Sequence, residues 1–154
     1  MSCYSVVPAA IEHVESFMGR LRASDLMEIE ASSGRDPNDA LILSWKKSEA
    51  CWVFLMDSLP IAIFGVVRPS IASSTGSPWM LGSEELNMPR VGNEVGKRSR
   101  YYVLEMKRHF QRLENYVDAR QKRSIRWLKW CGFTVENPKP WGTLGLPFHQ
   151  FWME

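Results

Sequence analysis

Only three of the 154 residues are cysteine, Cys3, Cys51 and Cys131. An odd number with no repeated spacing speaks against a disulfide framework, and no cluster of metal-ligating residues is visible. Cys51 and Cys131 lie in apolar runs and read as small buried hydrophobes, which suits a reducing compartment. No stretch approaches the ~18 consecutive apolar residues of a membrane span. The opening MSCYSVVPAAIEHVE has no basic segment followed by a long apolar run, so no export signal is expected. There is no G-x-x-x-x-G-K-[ST] phosphate loop and no Ser/His/Asp set. Charge of one sign is not in excess either. Lys and Arg number 19 against 17 Asp and Glu, a net +2 that by itself implies no polyanionic partner.

What is present is ordinary globular composition, 45% hydrophobic and 23% charged, with tryptophan in excess at seven copies. The length suits one domain over residues 1–154 with a core of its own. Ser5 to Val7 read as a strand. Ile11, Val14, Met18 and Leu21 recur at helical spacing. Ser24-Asp25 restarts a helix with Leu26 and Ile29 inward, ending near Gly34. Asp36-Pro37 is a helix start, because Asp36 can cap backbone N–H groups and Pro37 has none to satisfy. Ala50 to Met56 and Pro60 to Val67 form an antiparallel hairpin about Asp57-Ser58, with both faces covered. Pro69 to Pro78 read as loop, Trp79 to Gly82 as a short strand, and Ser83 to Gly96 as loop leading into a helix over Lys97 to Phe110. Glu114 to Ala119 is a strand and Gln121 to Cys131 an amphipathic helix stopped by Gly132. Phe133 to Val135 is a strand, Pro138 to Gly145 a loop and Pro147 to Met153 a last strand. The order predicts a mixed α/β plan, a central and mostly antiparallel sheet with helices on both faces.

The stretch NYVDARQKRSIRWLKWCGF, Asn115 to Phe133, resembles the last conserved strand and helix of the GNAT acetyltransferase superfamily. Gln121 stands at that pattern's usual Asn, Ser124 at its Ala, Leu128 at its Tyr, and Gly132-Phe133 match directly. With the closing LPFHQFWM the chain is also similar to the internal virion protein A family of short-tailed phages. That second resemblance implies a non-enzymatic role in virion assembly or genome ejection, with other phage or virion proteins as partners. It places the chain in the host cytoplasm during infection or in the virion interior.

The GNAT resemblance implies an acetyl-CoA site, and two of its signatures are altered. The pyrophosphate-binding R/Q-x-x-G-x-G/A should lie after Gly82, where Arg90, Gly92 and Gly96 are present at other spacings. The Tyr that protonates the leaving thiolate is replaced by Leu128, which has no proton to give. No cofactor is therefore expected on the leading reading. If acyl-CoA is bound, the resemblance assigns it Leu81, Gly82, Arg120, Gln121, Arg123 and Ser124. Candidate bases are Glu84, Glu85 and His109, and Tyr116 and Tyr101 are the nearby phenols. The expectation is thus a scaffold without acyl transfer. The alternative is an acetyl-CoA-dependent N-acetyltransferase with a divergent cofactor loop. A further alternative is a nucleic-acid-binding module. Lys122, Arg126 and Lys129, spaced i, i+4 and i+7, would contact DNA or an acidic partner from one helix face, with Lys97, Arg98 and Arg100 as a second basic group. Trp127 and Trp130 on the same helix need a second surface, such as Trp141 to Pro147.

Overall fold

A computed structural model describes residues 1–154. The first strand, β1 (Tyr4–Pro8), pairs with β2 (Ser48–Met56), which pairs with β3 (Leu59–Val67), all antiparallel. The hairpin turn takes positive φ at Asp57 (50°) and Ser58 (68°), as a two-residue turn between right-twisted strands demands. Between β1 and β2 come three helices, α1 (Ile11–Phe17), α2 (Ala23–Ser32) and α3 (Pro37–Lys47). α3 starts as expected: the Asp36 carboxylate accepts from the N–H groups of Asn38 and Asp39 at 3.0 and 3.2 Å. α1 is shorter than the apolar spacing suggests. It ends at Phe17, and the chain turns at Gly19 with φ +74°.

β3 pairs with β4 (Thr75–Gly82), which starts four residues before the strand predicted at Trp79. The extra residues look loop-like because they are small and polar. Gly76 is needed there, since a Cβ would stand 2.5 Å from the Phe110 ring. A short 3-10 turn over Glu84–Asn87 leads into α4 (Pro89–Lys107), eight residues earlier than the helix predicted from Lys97. Pro89 is the first residue of the helix rather than a breaker, and Gly92 and Gly96 lie inside it.

β5 (Arg112–Asp118), α5 (Lys122–Trp130), β6 (Thr134–Val135), β7 (Lys139–Trp141) and β8 (Leu146–Met153) follow. Of these only β7 was unforeseen. The sheet runs β1-β2-β3-β4-β5-β8-β6, with β7 also on β8, and only the β4–β5 pair is parallel. The mixed plan with a mostly antiparallel sheet is therefore correct.

Helices cover both faces. α1, α2 and α3 close over Ile63 and Leu81 with Val14, Phe17, Ile29 and Leu41. α4 and α5 close the other face over Phe54, Phe64, Leu113 and Val117 with Val95, Val103, Ile125 and Leu128. Trp127 is held by α4, its indole N–H donating to the Ser99 hydroxyl at 2.8 Å. The expected packing of this helix on Trp141 to Pro147 does not occur. That hairpin instead caps the C-terminal carbonyls of α2, where Thr143 and Leu144 donate N–H groups to Ser32 and Ala31.

Candidate active site

β4 and β5 are paired only at Thr75–Arg112 and Gly76–Leu113. Beyond that point they diverge, and the gap opens into a cavity of about 370 Å³. Met80 of β4, Asn115 and Tyr116 of β5, Ser99 and Tyr102 of α4, Ser124, Trp127 and Leu128 of α5, and Asp25 and Glu28 of α2 all line it. The lining is predominantly apolar, so the polar groups facing the gap define its chemistry.

The two facing strand edges can be accounted for bond by bond. Asn115 stitches the apex. Its amide nitrogen donates to the Pro78 carbonyl on β4 at 2.8 Å, and its amide oxygen accepts the Tyr116 N–H on β5 at 2.8 Å. At the open ends α2 reaches across. Asp25 accepts the Gly82 N–H at 2.8 Å, and Glu28 accepts the Asp118 N–H at 2.7 Å. Because these carboxylates stand three residues apart, they project from one side of α2, one to each strand.

Backbone direction alternates along β4. Gly82 and Pro78 both turn toward the gap, so Met80, midway between them in the β3 register, turns its N–H and C=O the same way. Pro78 has no N–H, and that of Gly82 is taken. Met80 therefore presents the one uncommitted N–H of β4 along the gap.

Asp25 and Glu28 carry unusual electrostatics. Burial pushes the Glu28 carboxyl up to about 7, helped by Asp25 and Asp118 nearby and opposed by the bond from the Asp118 N–H. Burial also raises Asp25, against the pull of Arg22, whose Nε lies 2.9 Å away. Neither residue was a site candidate from sequence, where Asp25 read only as part of a helix start, and Leu26, expected inward, is exposed while Asp25 is buried. Two acidic residues at i and i+3 on a short helix are commonplace. Their meaning depends on where the helix lies.

The sequence candidates distribute unevenly around this gap. Leu81 lines it, and Ser124 looks in from α5. Gly82 is there, but both its backbone groups are used, its C=O by the Arg22 N–H. Its lack of a Cβ serves Leu86, which would be 2.4 Å from one. Arg120 grips the buried Asp118 through both carboxylate oxygens, at 2.6 to 3.1 Å. Gln121 donates to the Ser24 carbonyl at 2.8 Å, tying α5 to α2. Arg123 crosses to the first turn of α4. It donates to the Asn87 carbonyl at 3.0 Å and lies over Gly92, where a Cβ would be 3.0 Å from its guanidinium.

Among the candidate bases, Glu84 accepts the Ala23 N–H at the start of α2. The Ser83 hydroxyl holds Glu85 below the usual carboxylate range. Neither lines the cavity, and His109 lies beyond the far end of α4. His149 contacts the Glu136 carbonyl at 2.8 Å and has a structural place. Tyr116 lines the cavity and stacks on Trp141, centroids 4.2 Å apart. Tyr101 is exposed on the outer side of α4. Lys122, Arg126 and Lys129 are exposed together on α5.

Comparison with solved structures identifies the fold as that of the GNAT acetyltransferases. Spermidine N-acetyltransferase from Vibrio cholerae, in complex with CoA and spermine, superposes with TM-score 0.71 at 9% identity, covering 97% of this chain and 94% of that one. A GNAT-family acetyltransferase from Streptococcus pneumoniae gives 0.66 at 8% identity, covering 98% of each. An N-acetyltransferase from Staphylococcus aureus Mu50 gives 0.68 at 13%, covering 99% and 98%. No protein-family model matches the chain. Among curated proteins, leucine–tRNA ligase of Pelodictyon phaeoclathratiforme is 34% identical over 90 residues, which is 51% of this chain and 10% of that protein. The chain thus spans about a tenth of that relative's length.

These findings correct the leading expectation of a non-enzymatic virion protein. The solved structures named above are acetyltransferases, and none is a phage protein. Leu128 and the altered segment between Ser83 and Arg100 do not close the cavity between β4 and β5. No helix is long and apolar enough to cross a membrane.

Proposed function

We propose that the chain is an acyl-CoA-dependent N-acyltransferase acting on an amine. The observation that carries this reading is the uncommitted Met80 N–H inside an apolar gap, with a carboxyl of raised pKa, Glu28, at its α2 side.

The residues present suit acetyl-CoA. The apolar gap suits the slender arm that bears the thioester, and the Met80 N–H suits an acyl carbonyl. At the outer end, the first turn of α4 has backbone N–H groups without partners in the helix. Arg90 and the Arg123 guanidinium over Gly92 add positive charge there, a setting that favours phosphate. Leu81, Gly82, Ser124 and Arg123 of the sequence assignment border this path. Arg120 and Gln121 hold Asp118 and Ser24 in place. Bound acetyl-CoA would supply an activated thioester carbonyl.

The Met80 N–H stabilises the negative charge that develops on the carbonyl oxygen under attack. Glu28, poised near neutrality, takes the proton of the amine as its nitrogen bonds to the acyl carbon. The departing thiolate of bound acetyl-CoA would need a proton, and Leu128 has none to give. Tyr102 is the phenol on the α4 side of the cavity, kept protonated by burial and by neighbouring Tyr101, and it fills that role.

The test is acyl transfer from acetyl-CoA to a panel of amines, followed by release of free thiol. With a productive amine, Glu28→Gln should lower kcat/KM by roughly 100-fold or more. It should also remove the rise of activity with pH near 7. A variant with wild-type kcat/KM and pH profile would remove Glu28 from the role.

A further inference from the structure

We infer that the acyl group this chain is built to take is longer than acetyl, a linear apolar chain of about four to six carbons, an inference that rests on the acyltransferase proposal and names its donor. The cavity can be followed in layers from its mouth. At the mouth, Gly92 and Val95 of α4 line it beside Arg123. The next layer holds Met80. Phe64 is its partner on β3, and the Phe64 ring meets Tyr102 of α4 edge-on, centroids 5.3 Å apart. This is the layer of the acyl carbonyl, since the Met80 N–H stands here.

The cavity does not end at that layer, because Pro78 and Met106 also line it. Pro78 stands two residues further along β4, about 7 Å on. Met106 stands one helical turn beyond Tyr102, about 6 Å on. Val66 partners Pro78 as Phe64 partners Met80, so strand and helix step down together. Across the gap, Phe151 on β8 is paired with Asn115 at this depth, and both line the cavity with Phe133. The floor lies just below, where the Phe110 ring would be 2.5 Å from a Cβ on Gly76.

The chemistry of this deep layer favours hydrocarbon over water. Val103, Met106, Phe133 and Phe151 are apolar, and the amide of Asn115 is committed at both its nitrogen and its oxygen. A chamber without free polar partners stays dry, and one left empty forfeits packing contacts. Acetyl reaches one carbon past its carbonyl, which leaves most of the roughly 6 to 7 Å below the Met80 layer unfilled. An extended chain advances about 1.2 Å per bond, a third of the rise of an extended residue. A six-carbon acyl group therefore ends at the floor.

The experiment is calorimetric titration of the whole chain with acetyl-, butanoyl-, hexanoyl-, octanoyl- and decanoyl-CoA. From acetyl to hexanoyl, each added methylene should tighten binding roughly threefold to fourfold. Octanoyl- and decanoyl-CoA should bind no more tightly than hexanoyl-CoA. Val103→Met, which fills space between the two layers, should weaken hexanoyl-CoA about tenfold or more and leave acetyl-CoA unchanged. Met106→Ala, which deepens the chamber, should make octanoyl-CoA the tightest ligand. The wild-type series decides even where a variant fails to fold. Equal affinity for all chains, weaker binding beyond acetyl, or folded variants that keep the wild-type order would overturn the inference and leave the acyltransferase proposal standing. Affinity that keeps rising through decanoyl would overturn it too, because such binding meets no floor. No binding of any of these thioesters would overturn both.

Discussion

Glu28 and Asp25 each do two things at once, capping a strand end and facing the cavity, and their titration should be visible in stability as well as activity. Glu28 moves from an ordinary 4.5 to about 7 in the folded chain, and Asp25 moves in the same direction. Between those values the folded protein holds a proton that the unfolded chain has released. The stabilisation is therefore complete below about pH 4.5 and is lost as pH climbs through about 7. Melting temperature should fall from about pH 5 to about pH 7.5, and Glu28→Gln should flatten that slope. A wild-type slope unchanged in the variant would contradict the burial ascribed to Glu28. Asn115 makes a second test at this scale. Asn115→Ala leaves the Pro78 carbonyl and the Tyr116 N–H without their partner, a cost of about 1–3 kcal/mol in stability. Because those bonds fix the apex of the gap, the KM for acetyl-CoA should rise more than kcat falls. The sequence pointed to Asn115 through its motif but not to its role, which needs two strands that meet only in three dimensions. Glu28 had no signal at all. Its partner, the Asp118 N–H, is 90 residues away in the chain.

Elements defined by local chemistry were readable, and those defined by a neighbour were not. Asp36-Pro37 starts α3 and Gly132, at φ +104°, stops α5, because capping and left-handed turns are decided within a few residues. The hairpin of β2 and β3 was legible from its two apolar runs. α4 was misjudged at its start because Pro89, Gly92 and Gly96 carry loop-forming weight. Yet Pro89 suits a first helical turn, and Gly92 is small because Arg123 lies across it. β7 was missed because its only strand partner, β8, follows it and was read as the last strand alone. The turn after β7 shows how much one residue can be constrained by a remote element. Gly142 has φ +80°, and a Cβ there would stand 2.5 Å from the Ala31 carbonyl oxygen. Gly142→Ala should undock the hairpin from α2 and cost about 2 kcal/mol or more in chemical denaturation. Gly145, with open space around it, should tolerate the same change with a smaller loss, from its positive φ alone. Equal effects at both positions would mean that the docking contact is immaterial.

At the scale of the molecule, the sheet divides two environments. α2 brings buried carboxylates to one side of the gap, and α4 and α5 bring cations to the other. An anionic donor and an amine acceptor would therefore approach from opposite faces and meet where β4 and β5 part. Fold class and sheet character followed from the order of elements, which is why altered motifs did not obscure them. Whether the gap was open could not follow, since that depends on a strand pair of only two residue steps. Calorimetric titration of the whole chain with acetyl-CoA addresses this most directly. One-to-one binding in the micromolar range is expected, weakened about tenfold or more by Arg123→Glu and unchanged by Arg120→Ala in protein that remains folded. No binding at about 1 mM acetyl-CoA, or equal loss from both variants, would contradict the acyltransferase reading.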